Sequence, residues 1–250
     1  MAVEYVQSLA RGLRVITAFS AHRPRMSLSE VAVVAGMSRA AARRFLHTFV
    51  ELGYVRTDGK LFELTPQVLR LGTAYLSALG LPRLGQRHLE RLSAQVGESS
   101  AAAVLDGTDI VYVARVATGR IMTVAISVGS RFPAFATSMG RVLLAHAPPD
   151  ELDAYFAAAD LTPATPRTVH TETDLRSLFA SVAEQGWAEV AQELEPGLYS
   201  LAAPIRDADL RVVAAINVST TSPERPAQLR DDVLAAASAI SADLASTDLR

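Results

Sequence analysis

Apolar residues in the first 80 positions recur three and four apart, in short blocks separated by polar, Gly or Pro breaks. Leu9, Leu13, Ile16 and Phe19 make one block, which predicts a helix over Leu9–Ser20 with Ser8 as its N-cap. His22-Arg-Pro-Arg interrupts it. Leu28, Val31, Ala32 and Ala35 make a second, predicting a short inward-facing helix capped by Ser27 or Ser29, with Glu30 at capping-box spacing from Ser27. Gly36 supplies a tight turn, and Ser38 caps a third helix running from about Arg39 to Leu52. Ala42, Phe45, Leu46 and Phe49 occupy one side of that helix. Gly53 ends it. The spacing then shortens to two strands, Tyr54–Thr57 and Lys60–Leu64, joined by Asp58-Gly59.

Thr65-Pro66 starts a further helix that reaches about Leu79 and is apolar on more than one face (Val68, Leu69, Leu71, Tyr75, Leu76, Leu79). Gly80-Leu-Pro82 closes it. This surplus of apolar surface asks for cover, either from the same helix of a second chain or from the chain's own domains. The resulting organisation has the element order of a winged helix-turn-helix over 1–64, a linker helix over 65–82 and a larger second domain over 83–250.

Within 83–250 the pattern predicts a helix over Leu84–Val96, then strands Ser99–Leu105, Ile110–Val116 and Ile121–Val128 separated by turns at Asp106-Gly107 and Thr118-Gly-Arg. A loop runs from Gly129 through Pro133, followed by a helix over Ser138–His146 that Pro148-Pro149 breaks. Helices near Glu151–Ala158 and Glu172–Glu184 come next. Trp187–Ala191, Tyr199–Ile205 and Arg211–Ser219 read as strands, and Gln228–Ala245 as a closing helix. About six strands joined by short turns, with helices on the flanks, predict an α+β sensor-like domain with an antiparallel sheet. The abundance of alanine reads as a bias of composition.

The outer side of the third helix carries Ala40, Arg43, Arg44 and His47, with Arg39 in its first turn. A recognition helix needs this division: an apolar side anchored to its own domain, and long donors turned toward the major groove. Arg39 and Arg43 are the predicted base-readers, since arginine can hold guanine through two bonds. Arg44, with Arg56 and Lys60 on the wing, is predicted to position the protein on phosphates, and Arg11 and Arg14 are further phosphate candidates. An amphipathic helix with a solvated basic face would look similar. The capped helix pair, the Gly turn and the wing favour double-stranded DNA.

Charge sharpens this picture. Residues 1–80 hold ten Lys and Arg against five Asp and Glu, and the remainder 14 against 21, so the net −2 divides into +5 and −7. A basic front on an acidic body suits a polyanion at one end only. Half the residues are hydrophobic and none is cysteine, which excludes disulfides and thiolate metal sites and fits a reducing cytoplasm. No signal peptide and no apolar run long enough for a bilayer are expected.

Catalytic motifs are missing. No phosphate loop of the GxxxxGK[ST] type and no HExxH is present, and His22, His47, His88, His146 and His170 lack ligand spacing. Ser138 stands outside any G-x-S-x-G elbow. The expectation is a non-enzyme with no cofactor and no metal, His146 being a helix-end residue. The rival is a metabolite-binding or enzymatic domain whose N-terminal module mediates protein contacts.

Four stretches carry a family resemblance: Gln7 through Ile16, Leu28 through Tyr54, Ala136 through Ala145, and Gln185-Gly-Trp187 with Glu193, Gly197 and Leu201 through Ile205. On them the chain resembles the IclR family of bacterial transcription regulators along nearly its whole length. Arg131-Phe-Pro-Ala and Thr137-Ser-Met-Gly-Arg look most like the branch that governs protocatechuate, 4-hydroxybenzoate and β-ketoadipate catabolism. The resemblance implies a GAF-like effector domain, a homodimer or dimer of dimers, an inverted-repeat operator, and a small carboxylic or aromatic acid as effector. It places the effector over the sheet, against Gly129, Ser130, Arg131, Ser200, Asn217 and Ser219, with Phe135 and Met139 as lid residues. Arg131 could grip a carboxylate through two bonds or pair with a surface carboxylate. Ser200, Asn217 and Ser219 could bind ligand or satisfy strand ends. Two positions depart from the family pattern, Ser200 where many members carry cysteine and Val190 where many carry aspartate.

Overall fold

The computed structural model describes residues 5–20, 22–78, 80–118 and 126–247. The chain divides into two compact units, Met1–Tyr75 and Leu76–Arg250. In the first, α1 (Gln7–Thr17), α2 (Leu28–Val34) and α3 (Arg39–Glu51) enclose a core of Val15, Ile16, Phe19, Met26, Val31 and Leu46. A three-stranded antiparallel sheet joins it, in the order β1 (Arg25–Ser27), β3 (Leu61–Leu64), β2 (Val55–Thr57). Between the two candidate caps of α2 the chain uses Ser27. Its hydroxyl accepts the Glu30 N–H while the Glu30 carboxylate accepts the Ser27 N–H at 2.7 Å, a complete capping box.

Three expectations fail here. α1 starts at Gln7 with Val6 as an N-cap that gives no side-chain bond, so Ser8 caps nothing. Its inner face is Gly12, Val15 and Ile16, leaving Leu9 and Leu13 64% and 51% exposed. The reason is the approach of α3. A Cβ on Gly12 would lie 3.5 Å from the Phe49 ring and 3.7 Å from the Phe45 ring, ordinary contact distances, so α3 packs on the Gly12 side of α1. The wing also turns one residue later than expected. Thr57 pairs with Phe62, and the Asp58 N–H meets the Leu61 carbonyl, so Gly59-Lys60 is the two-residue loop, with Gly59 at φ +93°. The Asp58 carboxylate accepts the Leu61 and Lys60 N–H groups, which hold its pKa below the ordinary aspartate value. The stretch after Thr65 begins as a single 3-10 turn, Pro66–Val68, before α4 (Leu69–Ala78).

The second unit is a six-stranded, wholly antiparallel sheet with helices on both faces. Its elements are α5 (Leu81–Val96), β4 (Ser99–Asp106), β5 (Asp109–Val116), β6 (Arg131–Pro133), α6 (Ser138–Ala145), α7 (Pro149–Ala158), α8 (Glu172–Gln185), β7 (Ala188–Ala191), β8 (Tyr199–Arg206), β9 (Val212–Thr220) and α9 (Arg225–Thr247). The strand order is β6-β5-β4-β9-β8-β7. α5 and α9 cover one face through Leu89, Leu92, Val233 and Ile240. α6 and α8 cover the other through Met139, Val142, Leu175 and Phe179.

The edge strand beside β5 is one that periodicity did not place. Of the predicted Ile121–Val128, residues 121–125 lie outside the described ones and 126–128 are not strand. The edge is Arg131–Pro133, read from sequence as loop. Pro149 opens α7 at its first position rather than only breaking α6. Alanine is also more than a bias. Ala101, Ala103, Ala188, Ala202 and Ala215 all lie in the core cluster beneath α6. Gly140 completes this close packing, since a Cβ there would stand 2.1 Å from the Ala134 carbonyl oxygen.

Candidate nucleic-acid interface and effector cleft

Local sequence positions the third helix. Gly36 takes φ +61° between α2 and α3, and the Ser38 hydroxyl accepts the Ala41 N–H at 3.3 Å. Ala42 and Leu46 are fully buried, with Phe45 and Phe49 partly buried beside them. The opposite face presents Arg39, Ala40, Arg43, Arg44 and His47, all exposed. No side chain among the described residues pairs with those three guanidinium groups, so their donors are directed at solvent. Arg11 lies over the Phe45 ring at 6.0 Å and shares a groove between α1 and α3 with Arg44.

The wing is charged differently. Arg56 Nε donates to Glu63 at 3.0 Å, and Arg25, on β1, pairs with Asp58 at 2.6 Å and approaches Glu63 at 3.8 Å. Arg56 therefore reaches a phosphate only by leaving or sharing Glu63. Lys60, at the loop tip, is exposed and without a described partner. Sequence reasoning missed Arg25, whose role follows only from the β1–β3 pairing.

In the second unit, cross-strand register assembles a polar platform on the α6 side of the sheet. One row runs Val190–Ser200–Ser219–Ser99, and the next Ala188–Ala202–Asn217–Ala101–Arg115. Residues directly opposite share a face, so the predicted Ser200, Asn217 and Ser219 do come together. Asn217 Nδ2 donates to the Ser219 hydroxyl at 3.1 Å. A narrow cavity opens over this corner, lined by Ser99, Tyr112, Arg115, Ile126, Asn217 and Ser219 among others. Gly129 and Ser130 flank it through the backbone, the Gly129 N–H meeting the Tyr112 carbonyl at 2.8 Å and the Tyr112 N–H the Ser130 carbonyl at 3.0 Å.

Arg131 does not join them. Its guanidinium is held by the Asp106 carboxylate and carbonyl and by Asp109 at 3.1 Å, so it clasps the β4–β5 turn to the edge strand. These bonds, Asp106 first, push its pKa further up. Of the two options, pairing with surface carboxylates is the one realised.

Phe135 and Met139 are not lids either. Both are 1% exposed in the core. The Phe135 N–H donates to the Tyr155 hydroxyl at 3.2 Å and its carbonyl accepts Arg141 Nε at 2.8 Å, which makes it a fixed wall. Burial pushes the Tyr155 phenol up to about 12, so it remains an uncharged acceptor. Arg141 itself is buried and forms a two-bond ion pair with Glu193, which also accepts the Val169 N–H at 2.7 Å.

Two residues were missed, Tyr112 and Arg115. Tyr112 is 5% exposed, its phenol is pushed up to about 12 by burial, and its hydroxyl has no hydrogen-bond partner among the described residues. Arg115 donates to the Ile126 carbonyl at 2.8 Å. A register shift at Ala102/Ala103 pairs Ala103 with Tyr112 and Ala101 with Arg115, setting two residues three apart on one face.

Neither Ser138 nor His146 is set up for catalysis by a described residue. The buried Ser138 hydroxyl has no hydrogen-bond partner among the described residues, so none of them acts as its base. His146 spans the Val142 carbonyl at 2.9 Å and the Arg206 guanidinium at 3.1 Å, a helix-end role. Among the described residues no group of three His, Asp or Glu could hold a metal ion, and no helix is long and apolar enough to cross a membrane.

Comparison with known proteins gives a consistent picture. Residues 8–59 match the model described as the IclR helix-turn-helix domain, and residues 73–242 the one described as bacterial transcriptional regulator IclR C-terminal. The Pca regulon regulatory protein of Pseudomonas putida is 46% identical over 218 residues, covering 87% of this chain and 75% of that protein. The p-hydroxybenzoate hydroxylase transcriptional activator of Acinetobacter baylyi is 35% identical, covering 92% and 88%. A crystal structure of an IclR homologue from Microbacterium hydrocarbonoxydans, complexed with 4-hydroxybenzoate, superposes with a TM-score of 0.87 at 26% identity, covering 96% of this chain and 100% of that one.

Proposed function

The chain belongs to the IclR family of bacterial transcriptional regulators, and from that premise we propose that it controls genes of aromatic-acid breakdown in response to a small carboxylic or aromatic acid. The relatives named above regulate such genes, and one structural neighbour carries 4-hydroxybenzoate. In this reading residues 1–64 read DNA, 65–82 link, and 83–250 bind effector and oligomerise. Two copies, or a dimer of dimers, meet an inverted repeat in the cytoplasm, with half-sites about one helical turn or a multiple apart. Arg39 and Arg43 read bases. Ser38, Ala40, Arg44, His47, Arg56 and Lys60 complete the DNA face, and Gly129, Ser130, Ser200, Asn217 and Ser219 border the effector.

The observation that carries this reading is the row of exposed guanidinium groups on α3 that no described carboxylate neutralises, on a helix whose other face is locked into its core. The effector acts by favouring one arrangement of the two recognition helices over another. The test is a gel shift of the intergenic DNA beside the gene, with and without 4-hydroxybenzoate or protocatechuate. Specific binding that either acid alters is the expected result. Absence of binding rejects the regulator reading, and binding indifferent to every aromatic acid rejects the effector class.

A further inference from the structure

Three arginines on β5, β6 and α6 have sharply different surroundings. Arg131 is held by Asp106 and Asp109, and Arg141 by Glu193. Arg115 is partly buried and, among the described residues, has only a backbone carbonyl, that of Ile126, to hold. A guanidinium withdrawn from water without a counter-charge is unfavourable until an anion arrives. Across the cavity that Arg115 lines, the described polar groups are Ser99, Ser100, Tyr112, Asn217 and Ser219, all uncharged.

We propose that Arg115 is the carboxylate-binding residue of the effector cleft and that, as the one cation among its described lining residues, it selects a monocarboxylate with an uncharged polar far end over a dicarboxylate. This rests on the proposed effector reading and names the ligand's chemistry within it. The ligand carboxylate takes two guanidinium bonds and displaces the single bond to Ile126. Ala101 stands between Arg115 and Asn217 in the cross-strand row, so its methyl gives a shallow floor. Those two residues lie on strands about 10 Å apart, two interstrand spacings, which suits one small ring. At the far end the Ser219 and Ser99 hydroxyls, one row on, meet a phenol or another neutral group. The buried Tyr112 phenol stays protonated through the physiological range and serves as a neutral donor. A second carboxylate would be desolvated there with no cation to meet it. The cavity is closed to roughly the size of a water molecule, so binding widens it at the expense of the Arg115–Ile126 bond.

Isothermal titration of the full chain with 4-hydroxybenzoate, 4-hydroxybenzamide and terephthalate tests this. The acid should bind roughly ten- to hundredfold more tightly than either the amide or the dicarboxylate, the ordinary worth of a charge-assisted pair. Arg115→Gln should bind acid and amide alike. Arg115→Lys should keep part of the preference, which also guards against a Gln variant that fails to fold. Arg131→Gln should match wild type. Full acid preference in Arg115→Gln, its loss in Arg131→Gln, or terephthalate bound as tightly as 4-hydroxybenzoate overturns the assignment. The first two results leave the proposed function standing wherever 4-hydroxybenzoate still alters operator binding. A wild type that binds none of the three probes overturns this assignment together with the aromatic-acid reading.

Discussion

The recognition helix and the effector cleft handle positive charge in opposite ways. Among the described residues α3 leaves three arginines in solvent with no partner, whereas the sheet unit pairs Arg131 and Arg141 with carboxylates and leaves Arg115, in the cleft, only the Ile126 carbonyl. A surface that meets a long polyanion gains from many free, interchangeable cations, and each phosphate contact adds to affinity. A cleft for one small acid gains from a single cation in neutral surroundings, because every further charge would need its own partner.

The largest expected effect lies in the sheet unit. Arg141→Ala strands the Glu193 carboxylate, 7% exposed, with one described N–H donor, that of Val169. The loss should be about 3–5 kcal/mol of that unit's stability. The one tryptophan of the chain, Trp187, packs against the core of this unit, so its fluorescence follows urea unfolding there without reporting on α3. A midpoint equal to wild type would show that the buried pair does not hold α6 in place. Salt separates the two regions next. If about six phosphates are contacted, the log–log slope of operator binding is near −5, a loss of about a thousandfold between 50 and 200 mM salt. Binding of 4-hydroxybenzoate through one buried pair should change by only a few fold over that range. Equal salt dependence at both sites would erase the contrast.

Arg39→Ala should weaken operator binding by about 1–3 kcal/mol and blur base preference, while leaving the thermal midpoint near wild type because the side chain is exposed and unpartnered. Operator and random duplex bound as by wild type would remove Arg39 from the reading face.

The same two regions show what sequence reveals. The α3 face was legible because one helical period sorts its residues, Ala42 and Leu46 inward and Arg39, Arg43 and Arg44 outward, without long-range information. The cleft was legible only in part. Ser200, Asn217 and Ser219 came from family resemblance, and strand register unites them. Arg115 was hidden by the bulge. Strict alternation sets residues 112 and 115 on opposite faces, and only the shift at Ala102/Ala103 returns Arg115 to the side of Tyr112. Arg131 misled for a related reason, since a basic residue in an apparent loop looks free until the edge strand delivers it to Asp106 and Asp109. Leu9 and Leu13 misled because side-chain size does not reveal which helix face receives a close neighbour. Here α3 packs on the Gly12 side.

The smallest effect probes the one place where the DNA-reading unit departs from its own rule of free charge. Glu63 sits between Arg56 at 3.0 Å and Arg25 at 3.8 Å, on an exposed hairpin. Pairs of this kind contribute about 0.2–1 kcal/mol, so Glu63→Gln should lower thermal stability only slightly. On DNA the same change acts in the other direction. It removes a negative charge from a surface that approaches phosphates and releases Arg56 to bind one. Operator affinity should rise by about 0.2–1 kcal/mol, and the salt slope should steepen by about one, the signature of an added phosphate contact. Unchanged affinity and slope in this variant would mean that the wing stays clear of the duplex and that α3, with the arginines of α1 beside it, carries the electrostatics alone.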